Sequence, residues 1–365
     1  MFSAKKEWIV AGLMSGTSLD GLDIALCRFR QENENWSYEI LDATTISYPA
    51  SLKKKLAGLM KASAQELAEM DAFFGKYSGE QVKKFISNQS HLTDLIASHG
   101  HTIFHQPGKG FTTQIGNGAY LSAATGLPVV SDFRSMDVAL GGQGAPLVPV
   151  GDKLLFSHYN YCLNLGGIAN ISYDHADKRI AGDICPVNIV LNLLAAQKGK
   201  AFDKDGKLAA KGKVNTALLK KLDQLSFYKK KFPKSLGREW VDKEFLPLII
   251  KSKLPIEDRL ATMCAHIAFQ IAEALPFDKE ADLLATGGGA FNTFLVEKIK
   301  EACGEKINIV VPDAQIVSYK EALVFAFLGL KRVLGEANVL HSVTGAKSNS
   351  VSGALYGEIM DYKIV

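Results

Sequence analysis

The chain has 365 residues, of which 47% are hydrophobic and 22% charged, with a formal net charge of +4. This balance provides a folded core and excludes a disordered chain, and the length favours two domains. The lysines at 53–55 and 229–231 are not interleaved with aromatic residues, so a nucleic-acid groove is not expected. Five scattered cysteines and the lack of an apolar run of about 18 residues predict a reduced, cytoplasmic protein that does not cross a membrane.

The first predicted element is a β-hairpin whose turn is rich in glycine and hydroxyl groups. Residues 8–13 are apolar and residues 23–29 alternate, which indicates a buried strand and its partner. Glycines in the turn let an anion approach the backbone, so the turn predicts a phosphate-binding loop. An ordinary glycine hairpin is the alternative. The turn region reads Met14-Ser15-Gly16-Thr17-Ser18-Leu19-Asp20-Gly21-Leu22-Asp23.

Strands and helices then alternate, as expected of a layered α/β protein. A strand predicted at 92–98 ends at His99-Gly100-His101-Thr102, and another at 127–130 ends at Asp132-Phe133-Arg134. Polar loops at strand ends are where α/β proteins collect ligands. These two loops are therefore candidate ligand-binding segments.

The histidines in this region allow a second interpretation. His99, His101 and His105 have a spacing that could surround a transition metal. A zinc hydrolase needs a further histidine or carboxylate in a matching motif, and none lies nearby in the sequence. Satisfied polar histidines are the preferred interpretation, and a metal centre is the alternative.

Two further glycine turns follow the same design as the first. Residues 161–165 form a predicted strand that enters Gly166-Gly167, and residues 168–173 return as a second strand. This repeat of strand, glycine turn and strand suggests two related halves. A strand at 282–286 leads into Gly287-Gly288-Gly289 and a helix at 294–303, a junction at which a phosphate or a flat ring can lie against bare backbone. The three turns together predict a nucleotide held in a cleft between two halves.

Asp183 is the candidate catalytic carboxylate. A strand is predicted to close at Ile180 and a helix to begin at Pro186, which places Asp183 at their junction. There it could project into a cleft and act as a base, or it could simply cap the helix. The local sequence leaves both possibilities open.

The chain resembles the anhydro-N-acetylmuramic acid kinase family, within the sugar kinase, Hsp70 and actin superfamily. The resemblance runs nearly end to end, and the N-terminal turn and the Gly-Gly-Gln-Gly-Ala-Pro run are its most specific parts. It implies a two-domain, actin-like α/β fold (ribonuclease H-like) with a central cleft, residues 1–133 plus 340–365 forming one domain and residues 134–339 the other. Its motifs also include 99–102, 132–134, 139–149, 164–170, 237–239, 287–289, 321–323 and 342–346.

The resemblance implies an unusual reaction. ATP phosphorylates O6 of 1,6-anhydro-N-acetylmuramic acid while water opens the anhydro bridge at C1, giving N-acetylmuramic acid 6-phosphate and ADP in cell-wall sugar recycling. By its place in the family motif, Asp183 is the base that deprotonates the water. A homodimer is also implied.

The remaining site residues are assigned by the same resemblance. Thr102, Arg134, Asn188 and Glu321 are expected on the sugar side. Mg²⁺ is expected on the ATP phosphates, with Asp183 and Glu321 as candidate ligands. The expected ATP-binding residues are Gly16, Thr17, Ser18, Leu19, Asp20, Gly21, Leu22, Asp23, Gly166, Gly167, Gly287, Gly288 and Gly289.

The chain departs from the family pattern beside Asp183. Where the family usually has Asp-Thr-Gly-Pro-Gly-Asn, this chain has Asp183-Ile184-Cys185-Pro186-Val187-Asn188. The bulkier Ile184, Cys185 and Val187 are expected to narrow the phosphate side of the cleft. Two alternatives therefore stay open: a kinase for another anhydro-sugar such as levoglucosan, and a nucleotide-binding homologue that has lost turnover.

Overall fold

The structure is a computed structural model that describes residues 6–16, 19–33, 35–276 and 280–358. Thr17 and Ser18, two of the expected phosphate-binding residues, lie outside the described residues. The strands are Glu7–Ser15 (β1), Gly21–Glu32 (β2), Asn35–Ser47 (β3), Leu95–Gln106 (β4), Phe111–Ile115 (β5), Val129–Ser131 (β6), Tyr161–Leu165 (β7), Ile168–His175 (β8), Lys178–Pro186 (β9), Ala281–Thr286 (β10), Ile307–Val310 (β11) and Ala354–Tyr356 (β12).

Helices separate these strands. The α-helices are Ala50–Gly58 (α1), Ala64–Ile86 (α2), Gly118–Thr125 (α3), Ser135–Ala139 (α4), Pro149–Leu155 (α5), Asn188–Ala196 (α6), Thr216–Asp223 (α7), Arg238–Trp240 (α8), Leu246–Ile250 (α9), Ile256–Ala274 (α10), Thr293–Cys303 (α11), Ala314–Val333 (α12) and His341–Thr344 (α13). Short 3₁₀ turns lie at Leu59–Lys61, Pro107–Lys109, Lys204–Gly206, Ala209–Lys211, Ser226–Lys229 and Gly288–Phe291, and a π-helical turn at Val241–Phe245.

The chain divides into two compact units. Unit 1 comprises Met1–Leu155 and Tyr319–Val365, and unit 2 comprises Phe156–Ser318. The boundaries expected from the sequence, after residue 133 and after residue 339, fall inside unit 1.

Side-chain contacts explain this difference in boundaries. Asp137 accepts a hydrogen bond from Thr344 at 2.7 Å, and Asp152 forms a buried ion pair with Lys320 at 2.7 Å. These contacts tie α4 to α13 and α5 to α12 within unit 1. Neither contact can be read from local sequence, because the partners are far apart in the chain.

Unit 1 is built on a sheet in the order β12-β6-β4-β1-β2-β3, with β5 paired to β4. The strands β1, β2 and β3 form an antiparallel meander, whereas β4 runs parallel to β1 and β6 runs parallel to β4. The central strand β1 is almost wholly buried, as its apolar sequence predicts. Gly12 lies on this strand where a Cβ would clash with the Ala322 carbonyl of α12, so only glycine allows that close approach.

Unit 2 repeats this design. Its sheet has the order β11-β10-β7-β8-β9, with an antiparallel β7-β8-β9 meander and parallel β10 and β11. Each unit therefore contains three antiparallel strands followed by two parallel strands in the same spatial order, which is the ribonuclease H-like topology. The two related halves and the α/β class expected from the sequence are confirmed.

Two element boundaries differ from expectation in ways that matter for function. The strand predicted to end at residue 98 continues as β4 to Gln106, so the 99–102 motif is part of a strand and not a loop. The helix predicted to begin at Pro186 begins at Asn188, because β9 extends through Pro186. Asp183 consequently lies inside a strand, and the helix-cap interpretation is wrong.

Candidate functional site

The hairpin between β1 and β2 forms the first candidate group, in unit 1. Leu19 donates its backbone N–H to the Gly16 carbonyl at 3.2 Å and adopts a left-handed φ of 61°. Gly21 packs so tightly that a Cβ would lie 2.6 Å from the Ile46 carbonyl oxygen. A tight, glycine-containing turn lets an anion approach the backbone. Phosphate binding by this loop stays a prediction.

Asp23 is the carboxylate of this hairpin. It lies on β2, and the Thr45 hydroxyl on β3 donates to its Oδ1 at 2.6 Å. Burial raises the pKa of Asp23, the Thr45 hydrogen bond opposes that rise, and the charge of Asp20 adds to it. Asp23 is thus an oriented carboxylate beside the turn between β1 and β2.

A buried network stabilises the end of β1 beneath the turn. Tyr48 donates its hydroxyl to Ser15 Oγ at 2.7 Å, and Ser15 Oγ lies 2.9 Å from His101 Nδ1. Because Tyr48 already supplies one proton, the Ser15 hydroxyl can donate its own proton to the imidazole. Burial lowers the pKa of His101, which is consistent with a neutral ring. The network links the end of β1 to β4.

Arg134 follows β6, and its side chain contacts His99 of the 99–102 motif on β4. Its Nε and Nη2 lie 3.0 and 2.8 Å from His99 Nε2, and its Nη1 donates to the Gly144 carbonyl at 2.6 Å. Burial lowers the pKa of Arg134 to about 10, so the guanidinium keeps its charge at neutral pH. Thr102 lies farther along β4, where its hydroxyl accepts from Gln114 at 3.4 Å. The structure thus fixes Arg134 against His99.

The histidines do not form a metal centre. His99 accepts from Arg134, His101 contacts Ser15, and His105 Nδ1 lies 3.1 Å from the Thr112 hydroxyl. Across the residues that the structure describes, no three His, Cys, Asp or Glu side chains are arranged to hold a metal ion. The transition-metal interpretation is wrong, because each imidazole has a different polar partner.

Glu321, on α12, belongs to the same unit. Its side chain reaches solvent, yet burial of the carboxyl group raises its pKa. The positive charge of Arg134 opposes this rise, and the negative charge of Asp23 reinforces it. The charges of Arg134 and Asp23 therefore both act on the Glu321 carboxyl, although the three residues are scattered along the sequence.

Asp183 is the centre of the candidate group in unit 2. On β9 it pairs with Asn170 of β8, whereas Cys185 pairs with Ala169, so Ile184 is the extra residue of a β-bulge. Bulges often reorient a side chain next to an active site. Asp183 Oδ2 accepts from the backbone N–H of Leu236 at 2.8 Å and from the Ser235 hydroxyl at 3.4 Å. Its Oδ1 has no hydrogen-bond partner within the described part of the chain.

Opposing effects set the ionisation of Asp183. Burial raises its pKa, while the hydrogen bonds from Leu236 and Ser235 lower it. One carboxylate oxygen is held by the protein and the other is open to a ligand. This is the arrangement expected of a general base.

Two asparagines beside Asp183 were not assigned a role in the sequence analysis. Asn164 of β7 pairs with Asn170 of β8, and Asn170 pairs with Asp183. Directly opposed residues of antiparallel strands point to the same face of the sheet, so the three form one row of polar side chains. The signal in the sequence was the placement of both asparagines around Gly166-Gly167 in a hairpin.

The glycine turns of unit 2 meet near Asn188. The carbonyl of Gly167 accepts from the backbone N–H groups of Val187 and Ile189, and that of Gly166 accepts from Asn188. Asn188 also donates its side-chain N–H to the Leu165 carbonyl at 2.9 Å. The first N–H groups of α6 are therefore already used within the protein and are not available to a phosphate.

The triple glycine packs against the same hairpin. Gly287 has a φ of +80°, and a Cβ there would clash with the Asn164 side-chain oxygen. At Gly289 a Cβ would lie 2.8 Å from Leu165 Cβ, whereas Gly288 is exposed, with its nearest neighbour, Asn188 Nδ2, 3.6 Å from a Cβ. Gly287 and Gly289 are thus needed for packing, and Gly288 presents bare backbone to solvent. Asn188 lies beside this turn.

The departures from the family pattern are accommodated in the core. Ile184 is 2% exposed, and Cys185 and Val187 are fully buried in the hydrophobic core of unit 2. Val187 has a negative φ of −125°, so it does not adopt the left-handed conformation that favours glycine. These side chains fill the interior of unit 2 and do not present bulk at its surface, contrary to the narrowing expected from the sequence.

The two ribonuclease H-like sheets and their glycine turns define an α/β protein of two related halves, and comparison identifies the family. A family model for anhydro-N-acetylmuramic acid kinase matches residues 8–358. The enzyme of that name from Pseudomonas syringae pv. syringae is 36% identical over 379 residues, covering 96% of this chain and 99% of the relative. The one from Caldanaerobacter subterraneus subsp. tengcongensis is 35% identical over 386 residues, covering 96% and 97%. The chain belongs to the anhydro-N-acetylmuramic acid kinase family.

Solved structures are more distant. A ROK family glucokinase from Streptomyces griseus, in complex with glucose and AMPPNP, aligns with a TM-score of 0.42 and 12% identity over 88% of this chain and 99% of that chain. At this level the likeness carries no weight for function. Within residues 6–16, 19–33, 35–276 and 280–358, no helix combines the length and apolar character needed to span a membrane.

Proposed function

We propose that this protein phosphorylates O6 of 1,6-anhydro-N-acetylmuramic acid with ATP while water opens the anhydro bridge. Family membership supports this reaction. Water oxygen bonds to C1, the C1–O6 bond breaks, and O6 takes the γ-phosphoryl group of ATP. The products are N-acetylmuramic acid 6-phosphate and ADP.

Asp183 is proposed as the base that takes the proton from the water. The observation that carries this assignment is its half-held carboxylate, in which Oδ2 accepts from Leu236 while Oδ1 has no partner within the described residues. A base needs an oriented oxygen with an available lone pair, and Oδ1 meets that requirement. Asn170, which pairs with Asp183 across β8 and β9, is proposed to hydrogen-bond the same water or a sugar oxygen.

ATP binding is assigned to the glycine turns. In unit 1 the turn between β1 and β2 is the proposed phosphate-binding segment, with Gly16 and Gly21 at its ends. In unit 2 the exposed backbone of Gly288 suits the flat adenosine group. Asn188 was expected to contact the sugar, but its place beside the triple glycine supports a role on the nucleotide side instead.

The residues of unit 1 also fit Mg²⁺. This ion binds ATP phosphates together with one or two carboxylates, and Asp23 and Glu321 are two carboxylates close enough for the charge of one to raise the pKa of the other. These two side chains would hold Mg²⁺, which neutralises phosphate charge when bound. Arg134 and Thr102 remain the proposed sugar-side residues. Homodimer formation and a cytoplasmic location stay predictions.

A coupled assay of ADP release, with mass analysis of the sugar product, tests the proposal. The purified protein is expected to release ADP only with an anhydro-sugar and to form a 6-phosphorylated reducing sugar. Asp183→Asn is expected to abolish most of this turnover, and Asp177→Asn, in an exposed turn of the same unit, serves as the matched control. ADP release with levoglucosan but not with the muramic sugar would favour the related kinase. ATP binding without ADP release for any anhydro-sugar would favour the inactive homologue.

A further inference from the structure

A short segment of unit 2, which is not part of the sheet, forms hydrogen bonds with Asp183. β9 is an edge strand, and its Asp183 backbone N–H donates to the Lys234 carbonyl at 2.7 Å. Two residues later, the Leu236 N–H donates back to Asp183 Oδ2 at 2.8 Å, and the Ser235 hydroxyl lies 3.4 Å from the same oxygen. The segment Lys234–Leu236, named here the Asp183 clamp, therefore contacts both the backbone and the side chain of one residue.

We propose that the Asp183 clamp is the positioning device of the catalytic base, with Ser235 and the Leu236 N–H as its working groups. The inference rests on the proposed role of Asp183. The clamp engages Oδ2 and leaves Oδ1 open, so it selects which oxygen receives the proton from water. It also stabilises the ionised form, because hydrogen bonds donated to a carboxylate favour its charged state.

The clamp is itself anchored on the core of unit 2. The Lys234 ammonium donates to the Phe227 carbonyl at 3.3 Å and lies 4.5 Å from the centre of the Phe227 ring. Leu236 is 5% exposed and belongs to the hydrophobic core. Anchors on both sides of Ser235 hold the donors in place before any substrate binds, which is what preorganisation requires.

Close packing on β9 adds a further constraint. Gly182, next to Asp183, faces Phe232, and a Cβ at Gly182 would lie 2.6 Å from the Phe232 ring and 3.0 Å from the Lys234 backbone nitrogen. Only a residue without a side chain allows the clamp to approach the strand this closely. The glycine, the bulge at Ile184 and the clamp thus act together to fix the direction of the Asp183 carboxylate.

The direction of the pKa effect makes the clamp testable. Burial raises the pKa of Asp183, and the bonds from Leu236 and Ser235 lower it. Removing either donor should raise the pKa further, so that the carboxylate is protonated and inactive over a wider range of acidic pH. The acid limb of the kcat profile should therefore move to higher pH, while KM for both substrates stays unchanged because the clamp donors are directed at Asp183.

Two variants test this in the full-length protein. Replacing Leu236 by its α-hydroxy analogue, which turns one amide into an ester and deletes the N–H, should raise the acid limb by about one pH unit. Ser235→Ala should cause a smaller shift in the same direction, and Ser235→Thr should restore the wild-type profile. Ser226→Ala, another exposed serine of unit 2, is the matched control and should leave the profile unchanged.

The outcomes distinguish a failure of the clamp proposal from a failure of the assignment of Asp183 as the base. An unchanged acid limb in both the ester variant and Ser235→Ala, with Asp183→Asn still inactive, would overturn the clamp and leave the base in place. Full activity of Asp183→Asn would overturn the base assignment itself. A ¹³C NMR titration of the Asp183 carboxyl in Ser235→Ala gives a second readout that needs no turnover: an upward pKa shift supports the clamp, and an unshifted pKa contradicts it.

Discussion

The two units use one sheet topology but place their carboxylates on different strands. In each unit, three residues that pair across the antiparallel strands form a row. This row lies one residue pair away from the pair that closes the hairpin turn. In unit 1 the carboxylate stands on the middle strand with a hydroxyl on the outer one, and in unit 2 the carboxylate stands on the outer strand with an amide in the middle. The rows are Met14, Asp23 and Thr45 in unit 1 and Asn164, Asn170 and Asp183 in unit 2.

The hairpin loops of the two units also differ in length. Residues 16–20 separate β1 from β2, whereas only Gly166 and Gly167 separate β7 from β8. A longer glycine-containing loop can surround a phosphate. The turn of unit 2 is shorter, and ATP binding by Gly166 and Gly167 stays a prediction. Under the proposed function, unit 1 binds the phosphates and unit 2 carries out the proton transfer, on two sheets of the same topology.

The strongest test of that division compares the two carboxylates. Asp183→Asn removes a general base and should lower kcat by roughly 10²- to 10⁴-fold while nucleotide affinity stays near wild type. Asp23→Asn should instead weaken binding of ATP with Mg²⁺. Steady-state kinetics and calorimetric titration with a non-hydrolysable ATP analogue check both effects. If both variants weaken nucleotide binding equally, the proposed division of tasks fails.

A second test concerns what holds unit 1 together. Asp152 and Lys320 are each 6% exposed and form an ion pair, so Asp152→Ala leaves a buried charge without this partner. We expect a loss of about 3–5 kcal/mol in the free energy of unfolding, measured by urea denaturation. The exposed pair of Lys298 and Glu301 in unit 2 is the control, and Glu301→Ala should cost less than about 1 kcal/mol. Equal losses would contradict the structural role assigned to the buried pair.

The departures beside Asp183 provide a third test. Val187 is fully buried in the core of unit 2, so Val187→Gly, which restores the usual family residue, should lower the free energy of unfolding by about 1.5–3 kcal/mol. Turnover should not increase, since the valine side chain does not block the surface. A gain in kcat would show instead that Val187 obstructs the phosphate.

The smallest expected effect is a change in KM for ATP. It distinguishes a glycine that contacts the nucleotide from a glycine that is needed only for packing. Gly288 has room for a Cβ, so Gly288→Ala should fold normally, yet it should raise KM for ATP several-fold if adenosine lies on this backbone. Gly108→Ala, with no atom near its Cβ position, is the control. An unchanged KM for ATP in Gly288→Ala would remove this glycine from the nucleotide site.

Much of the fold follows from local patterns in the chain. The apolar run at 8–13, the alternation at 23–29 and the glycines between strands predict both hairpins, because turn residues and side-chain periodicity are local properties. Residues 161–165 match β7 residue for residue. The 99–102 motif was placed wrongly in a loop, since its polar residues lie on a long strand whose histidines find buried partners in β1 and beyond β6.

The sequence by itself determined the two hairpins, the related halves and the family, and it singled out Asp183. The tertiary structure alone decided how Asp183 is held: a one-residue bulge at Ile184 aligns it with Asn170, and donors more than 50 residues away fix one of its oxygens. It also decided that Cys185 and Val187 enter the core. Strand and turn propensities are local, whereas register and contacts between distant segments depend on how the whole unit packs.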